Sequence, residues 1–502
     1  MTAYALARAL THARLVKPAD DRDITDITND SRRVEPGSLY AALRGQHVDG
    51  HSFIPQAIAS GASAVLCEEM PHEPRPDVAW LVAPDARLAL SELSDRFYGS
   101  PSRKLFVIGV TGTDGKTSTV SFIHQLLSAV TGRSSFLSTA AIQIGPHEEP
   151  NLLHQSTPEA PEIHRALGQM LDHGSRYAVI ESTSHGLSRK TCRLAHVSYG
   201  AAVFTNLSHE HLEFHGTFEH YRNDKANLFR QLDARDGSRD LPEPFGVVNG
   251  DDPNAAYFRS ATNRPVVTYA LESPADFVAR DVELGTAGSR FTLVTPTGSL
   301  ACRLPVPGRF NILNALAAIA TVARIDSNTD RLVEAVSRLR SVRGRMNVVL
   351  SSPFTVIVDY AHTPGSFESV LPFFREHGAG RLILVFGSAG DRDVAKRPLQ
   401  GAVADRYADL IVLTDEDPRS EDRMEILRQI ASGCPARVVG EDVLLIPDRR
   451  EAIRRAVSLA RPGDTVLLLG KGHETTIIGP REAMPWDETE VASEELERLG
   501  YA

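Results

Sequence analysis

The chain has 502 residues, 42% of them hydrophobic and 24% charged, the make-up of an ordinary globular protein of about three domains whose cores need no disulfide or metal staple. A formal charge of −10 disfavours a general nucleic-acid or anionic-membrane binder, because no global positive field draws phosphates in; a phosphorylated small molecule in a local basic pocket remains open. Four scattered cysteines without a CxxC pair, no signal-peptide pattern in MTAYALARALTHARLV and no apolar run near about 18 residues predict reduced thiols in a cytoplasmic protein without a membrane span.

Residues 1–102 carry strand-like runs at Ser38–Leu43 and Ala64–Leu66, a short helix at Ile54–Ala62 ended by Gly61, and a closing YGSPSRK that reads as a linker. The apolar run Leu105–Ile108 predicts a buried strand, and Val120, Ile123, Leu127 and Val130 follow at helical spacing. Two more strand runs, Tyr177–Ile180 and Ala201–Phe204, end in polar clusters beginning at Glu181 and Thr205. From Arg343 the same grammar returns: runs at 355–358, 382–386, 410–413 and 465–469 each deliver a charged or glycine-rich tip. Strands alternating with helices predict an α/β fold in three domains: a small N-terminal α/β domain (1–102), a central P-loop ATPase-like parallel-sheet domain (103–342) and a C-terminal Rossmann-like domain (343–502). Ligands on such sheets sit beyond the carboxyl ends of the strands, where the polar tips fall.

Three groups of residues can carry chemistry. In VTGTDGKTST (Val110–Thr119), Gly115-Lys116-Thr117 match the end of the pattern G-x-x-x-x-G-K-[ST], but Val110 stands where the first glycine belongs. A strand, a glycine turn and a helix start aim backbone N–H groups at a phosphate, with Lys116 for the β/γ-phosphates and Thr117 for Mg²⁺; the plain alternative is a β–α turn with a surface lysine. SHEHLEFHGTFEHYRNDK (Ser208–Lys225) holds His209, His211 and His215 beside Glu210 and Glu213, and reads as a zinc site, as a Mg²⁺ site with at most one histidine, or as a polar loop. Glu181 is a candidate carboxylate for Mg²⁺ or a solvated strand end. The third-domain tips offer Asp359, His362, Arg392, Arg419, Lys471 and Glu474, which suit a zwitterionic or carboxylate-bearing small molecule unless they are surface ion pairs.

Taken together, DSRRVEPGSLYAALRGQHVDGH (Asp30–His51), TGTDGKTST, STPEAPE, ESTSHGL, FTNLSHEHLEFHGT, PGRFNILNALAA, GRM, DYAHTP, GDRDVAKRP, DEDPRSED and GKGHE resemble, in order and over nearly the whole chain, the Mur ligase family of ATP-dependent amide-forming enzymes, and within it the MurE type. The resemblance implies a cytoplasmic, monomeric ligase of peptidoglycan precursor synthesis, with ATP and Mg²⁺ as cofactors. Its partners would be a UDP-MurNAc-dipeptide and a free amino acid, and it would join them through an acyl phosphate. It implies ATP contacts from Thr111, Gly112, Thr113, Asp114, Gly115, Lys116, Thr117, Ser118, Asn311, Arg345 and Asp359. Metal ligands would be Thr117, Glu181, His211 and Lys225, the last as a carbamate, which sequence cannot display. Lys116, Lys225, Glu181 and His211 would be catalytic. Ser31 and Arg32 would meet the uridine diphosphate, and Ser156, Thr157, Ser184 and Arg193 the sugar–peptide. Arg392, Glu416, Asp417, Arg419, Gly470 and Glu474 would meet the amino acid.

Some positions depart from the family pattern. Asp114 replaces asparagine or lysine, Glu210 and Glu213 replace aspartates, and the spacing from His185 to Arg193 is longer than in many members. Glu416-Asp417-Pro418-Arg419 stands where members using meso-diaminopimelate commonly read D-N-P-R; Arg419 suits a distal carboxylate, Asp417 a distal ammonium, and the expectation is a diamino acid with a lean to L-lysine or L-ornithine. Rival readings are a zinc hydrolase built on His209, His211 and His215, and a nucleotide-binding protein without turnover. Folylpolyglutamate-forming siblings share the loop but lack the DSRRVEPGSLYAALRG segment.

Overall fold

Apolar strand runs alternating with amphipathic helices build three main sheets in the computed structural model, which describes all residues except 1, 9, 18–22, 46–47, 152–154, 209–211, 236–239 and 502. Contacts divide the chain into two units, Met1–Asp276 with Ala317–Ser327, and Phe277–Leu316 with Asn328–Ala502.

The first unit begins with β1 (Arg14–Lys17), β2 (Ile27–Thr28), β3 (Leu39–Ala41), β4 (Ala64–Cys67) and β5 (Ala79–Val82), in the order β1-β5-β4-β3-β2, with only β1 antiparallel. The helix Ile54–Ala59 stops before Gly61, whose φ of 100° and close approach to Pro36 leave no room for a side chain. YGSPSRK is not an open linker. Ser100, at φ 52°, starts a helical turn Pro101–Lys104 that leads directly into the next sheet.

That sheet contains β6 (Phe106–Thr111), β7 (Ser134–Leu137), β8 (Ala141–Ile144), β9 (His147–Pro150), β10 (Tyr177–Glu181), β11 (Tyr199–Phe204), β12 (Phe245–Asn249) and β13 (Val266–Ala270). Its order is β13-β12-β11-β6-β10-β7-β8-β9; the pairs from β13 to β7 are parallel, whereas β8 and β9 add an antiparallel extension. Strands β6, β10 and β11 are buried throughout, which is why they read as continuous apolar runs rather than as alternating ones. Their parallel register sets Glu181 opposite Val110, so the β10 carboxylate stands at the root of the glycine loop. The helix Lys116–Thr131 buries Val120, Ile123, Leu127 and Val130, the face that the spacing predicts.

The second unit opens with an antiparallel meander of β14 (Phe277–Gly285), β15 (Gly288–Thr295) and β16 (Gly298–Leu304). Next come β17 (Asn347–Leu350), β18 (Thr355–Asp359), β19 (Leu382–Phe386), β20 (Leu410–Leu413), β21 (Val443–Leu445) and β22 (Thr465–Leu469), ordered β17-β18-β22-β19-β20-β21 and parallel except for the edge strand β17. Aliphatic clusters cover both faces, and a small ribbon of β23 (Thr476–Ile478) and β24 (Ala483–Pro485) stands apart. Parallel strands place Asp359, Gly387, Thr414 and Gly470 at one edge of this sheet. Among the described residues no helix is long and apolar enough to cross a membrane.

Candidate functional site

The loop after β6 is shaped by contacts that only its own sequence permits. A Cβ at Gly112, where φ is 153°, would lie 1.9 Å from the Thr205 hydroxyl oxygen, and Gly115 starts the helix from a left-handed φ of 78°. The end of β11 clamps the loop: the Thr113 amide donates to the Asn206 carbonyl at 2.8 Å, the Asp114 amide to the Asn206 side chain at 3.0 Å, and the Thr205 hydroxyl to the Asp114 carbonyl at 2.7 Å. The Asp114 carboxylate itself is exposed, so its charge is turned to water while its backbone holds the turn. Lys116 folds back, its Nζ donating to the Thr113 carbonyl at 2.6 Å.

Behind the loop lies a buried polar set. The Thr117 hydroxyl donates to Glu181 Oε2 at 3.0 Å, and the Thr139 amide donates to the same oxygen at 2.9 Å. Lys225, 2% exposed, donates from Nζ to the Gly112 carbonyl at 2.5 Å and lies 4.5 Å from the centre of the Tyr221 ring; Tyr221 also shares a 3.0 Å hydrogen bond with Thr113. Tyr221 precedes Lys225 by one helical turn of Phe218–Asp233, so both point the same way. Thr157 accepts from the Thr183 amide and donates to the Glu181 carbonyl at 2.9 Å, while Arg193 pairs with Glu159 and donates to the Thr157 carbonyl.

In the second unit the strand tips form another set. Asp359 accepts from the Met346 and Ala361 amides at 2.8 Å each, and burial raises its pKa. Arg345 stacks 4.7 Å over Tyr360, whose ring also meets His362 and His473. Burial, with Arg345 nearby, pushes His473 down to about 4, so it is neutral at physiological pH. Gly344 (φ 72°) lies against the GKGH turn so closely that a Cβ there would sit 2.2 Å from backbone atoms of both Gly472 and His473. Fully buried Lys471 bridges Asp417 at 2.8 Å and Glu474 at 2.6 Å. Glu416 is pushed up to about 7 by burial, against the pull of Lys396 and Lys471, and its Oε2 has no hydrogen-bond partner. Arg419 sits at φ 51° with its Nε buried and unpartnered.

The sequence matches the Mur ligase family catalytic domain over residues 23–98, the Mur ligase middle domain over 110–322 and the Mur ligase glutamate ligase domain over 344–472. The chain belongs to the Mur ligase family. It is similar to the UDP-N-acetylmuramyl-tripeptide synthetase of Roseiflexus sp. (strain RS-1), 47% identical over 96% of each chain. It is also similar to the UDP-N-acetylmuramoyl-L-alanyl-D-glutamate–2,6-diaminopimelate ligase of Geobacillus kaustophilus (strain HTA426), 40% identical over 95% of this chain and 96% of the relative. A solved structure of a 2,6-diaminopimelate ligase of this kind superimposes with a TM-score of 0.68 at 32% identity, over 95% of each chain.

In this Mur ligase the residues of Thr111–Ser118, with Glu181 and Lys225, come together in the first unit. Thr157 and Arg193 link to the same set through the Glu181 carbonyl. Ser184 and His215 are bonded to each other: the His215 ring meets the Ser184 hydroxyl at 3.0 Å and Asp224 at 2.9 Å. With both ring nitrogens engaged, His215 has none left for the zinc ion of the hydrolase reading. His209, Glu210 and His211 lie outside the described residues, as does the Glu213 side chain. Ser156 is half-buried, and Ser31 and exposed Arg32 lie on a turn capped by Asp30, whose carboxylate accepts from the Arg32 guanidinium. Neither Ser31 nor Arg32 lines the nearby cavity of about 520 Å³, bounded by Arg44, His51, Met70 and Trp80 among others.

In the second unit Arg345, Asp359, Glu416, Asp417, Arg419, Gly470 and Glu474 cluster at the strand tips. Arg392 is exposed beyond β19, and the Asn311 side chain donates to the Pro307 carbonyl at 2.7 Å. Sequence reasoning missed Tyr221, Thr139 and Asp224, and took Asn206 only as part of a polar strand end. Of the three missed, only Tyr221 left a signal, its i−4 spacing from Lys225.

Proposed function

We propose that this Mur ligase adds a diamino acid to UDP-N-acetylmuramoyl-L-alanyl-D-glutamate with hydrolysis of ATP to ADP, in cytoplasmic peptidoglycan precursor synthesis, acting as a monomer. The observation that carries this reading is the Thr117–Glu181 pair at 3.0 Å beneath a glycine cradle that no side chain could enter. A hydroxyl beside a buried carboxylate is a hard-oxygen donor set that fits Mg²⁺, and the backbone turn fits a triphosphate. In this reading residues 1–102 bind the uridine diphosphate part through Ser31 and Arg32, 103–342 bind ATP, and 343–502 bring the amino acid.

Thr111–Ser118 cradle the phosphates, and Asn311, Arg345 and Asp359 contact the nucleotide. Thr117, Glu181, His211 and Lys225, the last as a carbamate, would hold Mg²⁺, which when bound would neutralise phosphate charge. Lys116 leaves the Thr113 carbonyl to reach the transferring phosphoryl group. The D-glutamyl γ-carboxylate oxygen attacks the γ-phosphorus and ADP departs, leaving an acyl phosphate. The neutral amine of the amino acid adds to the acyl carbon, the tetrahedral species expels phosphate, and the surplus amine proton passes to solvent. The chain's contribution is orientation and charge stabilisation. Ser156, Thr157, Ser184 and Arg193 wall the sugar–peptide.

For the amino acid, the acid left open to an ammonium is Glu416 and not its neighbour Asp417. Asp417 is already engaged by Lys471 and by the Ile478 amide, whereas Glu416 keeps an unpartnered buried oxygen beside Gly470. An incoming distal ammonium would take the Glu416 proton's place; meso-diaminopimelate would bring a second carboxylate with it to this acidic corner, whereas L-lysine or L-ornithine brings the ammonium alone. Arg419, Arg392 and Glu474 complete the pocket, Arg419 gripping a carboxylate.

The test is phosphate release from ATP and Mg²⁺ with UDP-MurNAc-L-Ala-D-Glu and each of L-lysine, L-ornithine and meso-diaminopimelate. Release dependent on both co-substrates is expected, and no release with any amino acid would overturn the reading; fastest turnover with meso-diaminopimelate would overturn the amino-acid lean. Lys116→Ala is expected to abolish turnover with an unchanged melting curve.

A further inference from the structure

Away from the phosphate loop, three chain segments of the first unit bring His12, Glu92 and His196 together. One donor atom from each lies within 4.8 Å of the others, and the two imidazole rings are 6.4 Å apart. His12 precedes β1 and is exposed, Glu92 is buried on the helix Ala86–Phe97, and His196 is half-buried just before β11. The Glu92 carboxylate is fixed in place: the Thr11 amide donates to it at 3.1 Å, the Thr11 hydroxyl at 3.0 Å and the His12 amide at 3.3 Å. Such bonds orient a ligating carboxylate without using all its lone pairs.

The remaining surroundings are polar and unsatisfied. His196 Nδ1 is buried with no hydrogen-bond partner. Fully buried His164 has partners for neither ring nitrogen; its Nδ1 is 3.7 Å from Asp95 Oδ1, which is also unpartnered. An unpaired buried polar group is destabilising, so several close together need a reason.

We propose that His12, Glu92 and His196 form a site for a divalent transition ion of the zinc class, separate from the Mg²⁺ of the ligase reaction, which ties the segment before β1 to the two elements behind it. Two imidazoles and one carboxylate suit zinc, cobalt or nickel and not magnesium. Donor atoms round a tetrahedral zinc stand about 3.4 Å apart, so closure by up to about 1.4 Å from the 4.8 Å separation, within reach of exposed His12, completes three ligands. The ion is structural here: no phosphate loop or strand-tip residue is among its ligands.

The experiment uses the full chain, stripped with a chelator and dialysed against Zn²⁺ or Co²⁺ in excess Mg²⁺. One zinc per chain, a tetrahedral cobalt visible spectrum and a melting midpoint raised by about 3 °C or more are expected. His12→Gln, an exposed change that should not impair folding, and His196→Gln should each weaken binding by about 100-fold, while His209→Gln, in the histidine-rich sequence SHEHLEFH, should leave it unchanged. Absence of stoichiometric zinc in the unaltered chain overturns the proposal. So does binding that survives the His12→Gln/His196→Gln pair, or that is lost in His209→Gln.

Discussion

The hydroxyl of Thr117 and the carboxylate of Glu181 are 3.0 Å apart, although 64 residues separate them, because β6 and β10 are parallel neighbours in register. Their pairing predicts that Glu181→Gln, which keeps the shape and removes the charge, lowers kcat by about 10²–10³-fold, the scale of losing one preorganised electrostatic group. Thr117→Val should do the same. Steady-state phosphate release over a Mg²⁺ titration checks this, and an unaltered Mg²⁺ dependence in either variant would count against a metal role.

Gly112→Ala should distort the loop, since its Cβ would meet the Thr205 hydroxyl at 1.9 Å and Asn206 backbone atoms near 3 Å. The expected outcome is an ATP KM raised by at least about tenfold, a loss of roughly 1.4 kcal/mol of binding, with the fold retained. Adding Thr205→Ala removes the worst contact and should restore part of the affinity. Nucleotide titration of the single and double variants reads the difference.

Glu416 titrates at about 7 in the fold against 4.5 for an exposed glutamate. Its raised pKa favours the folded state most below pH 4.5, and that contribution is lost as pH rises through about 7. Binding of a distal ammonium runs the other way, because it needs the ionised carboxylate. The amino-acid KM should therefore fall by up to about tenfold per unit as pH rises toward 7. Glu416→Gln should flatten that profile; a profile unchanged in the variant would detach Glu416 from the amino acid.

Lys471 is fully buried between two acids. Lys471→Met leaves Asp417 with an uncompensated buried charge and should destabilise the protein by about 3 kcal/mol, visible as a lower urea midpoint. The double change with Asp417→Asn should recover much of that loss. Additive losses would show that the pair is not coupled.

The parallel core was legible because strands buried on both faces spell continuous apolar runs, and the polar tips that close them marked Glu181, Asp359 and Gly470 correctly as strand ends. The meander β14–β16 was overlooked despite a readable signal, the two-residue connections Thr286–Ala287 and Pro296–Thr297 between alternating runs. What could not be read were pairings across long separations. His215 looks like a metal ligand in SHEHLEFH, yet Asp224 and Ser184 occupy it; Asp417 looks like a free acid, yet Lys471, 54 residues on, takes its charge. Asp114, the acid that replaces asparagine or lysine in the glycine loop, anchors the turn through its backbone while its carboxylate faces water.

The seat of Gly344 against Gly472 and His473 sets a rule for recombining relatives. The two turns touch backbone to backbone, so neither can shift to admit a change in the other. A chimaera that joins two parents anywhere between these positions inherits turns shaped in different proteins. Junctions before Gly344 or after His473 keep the matched pair together, and libraries built that way should yield folded C-terminal parts far more often.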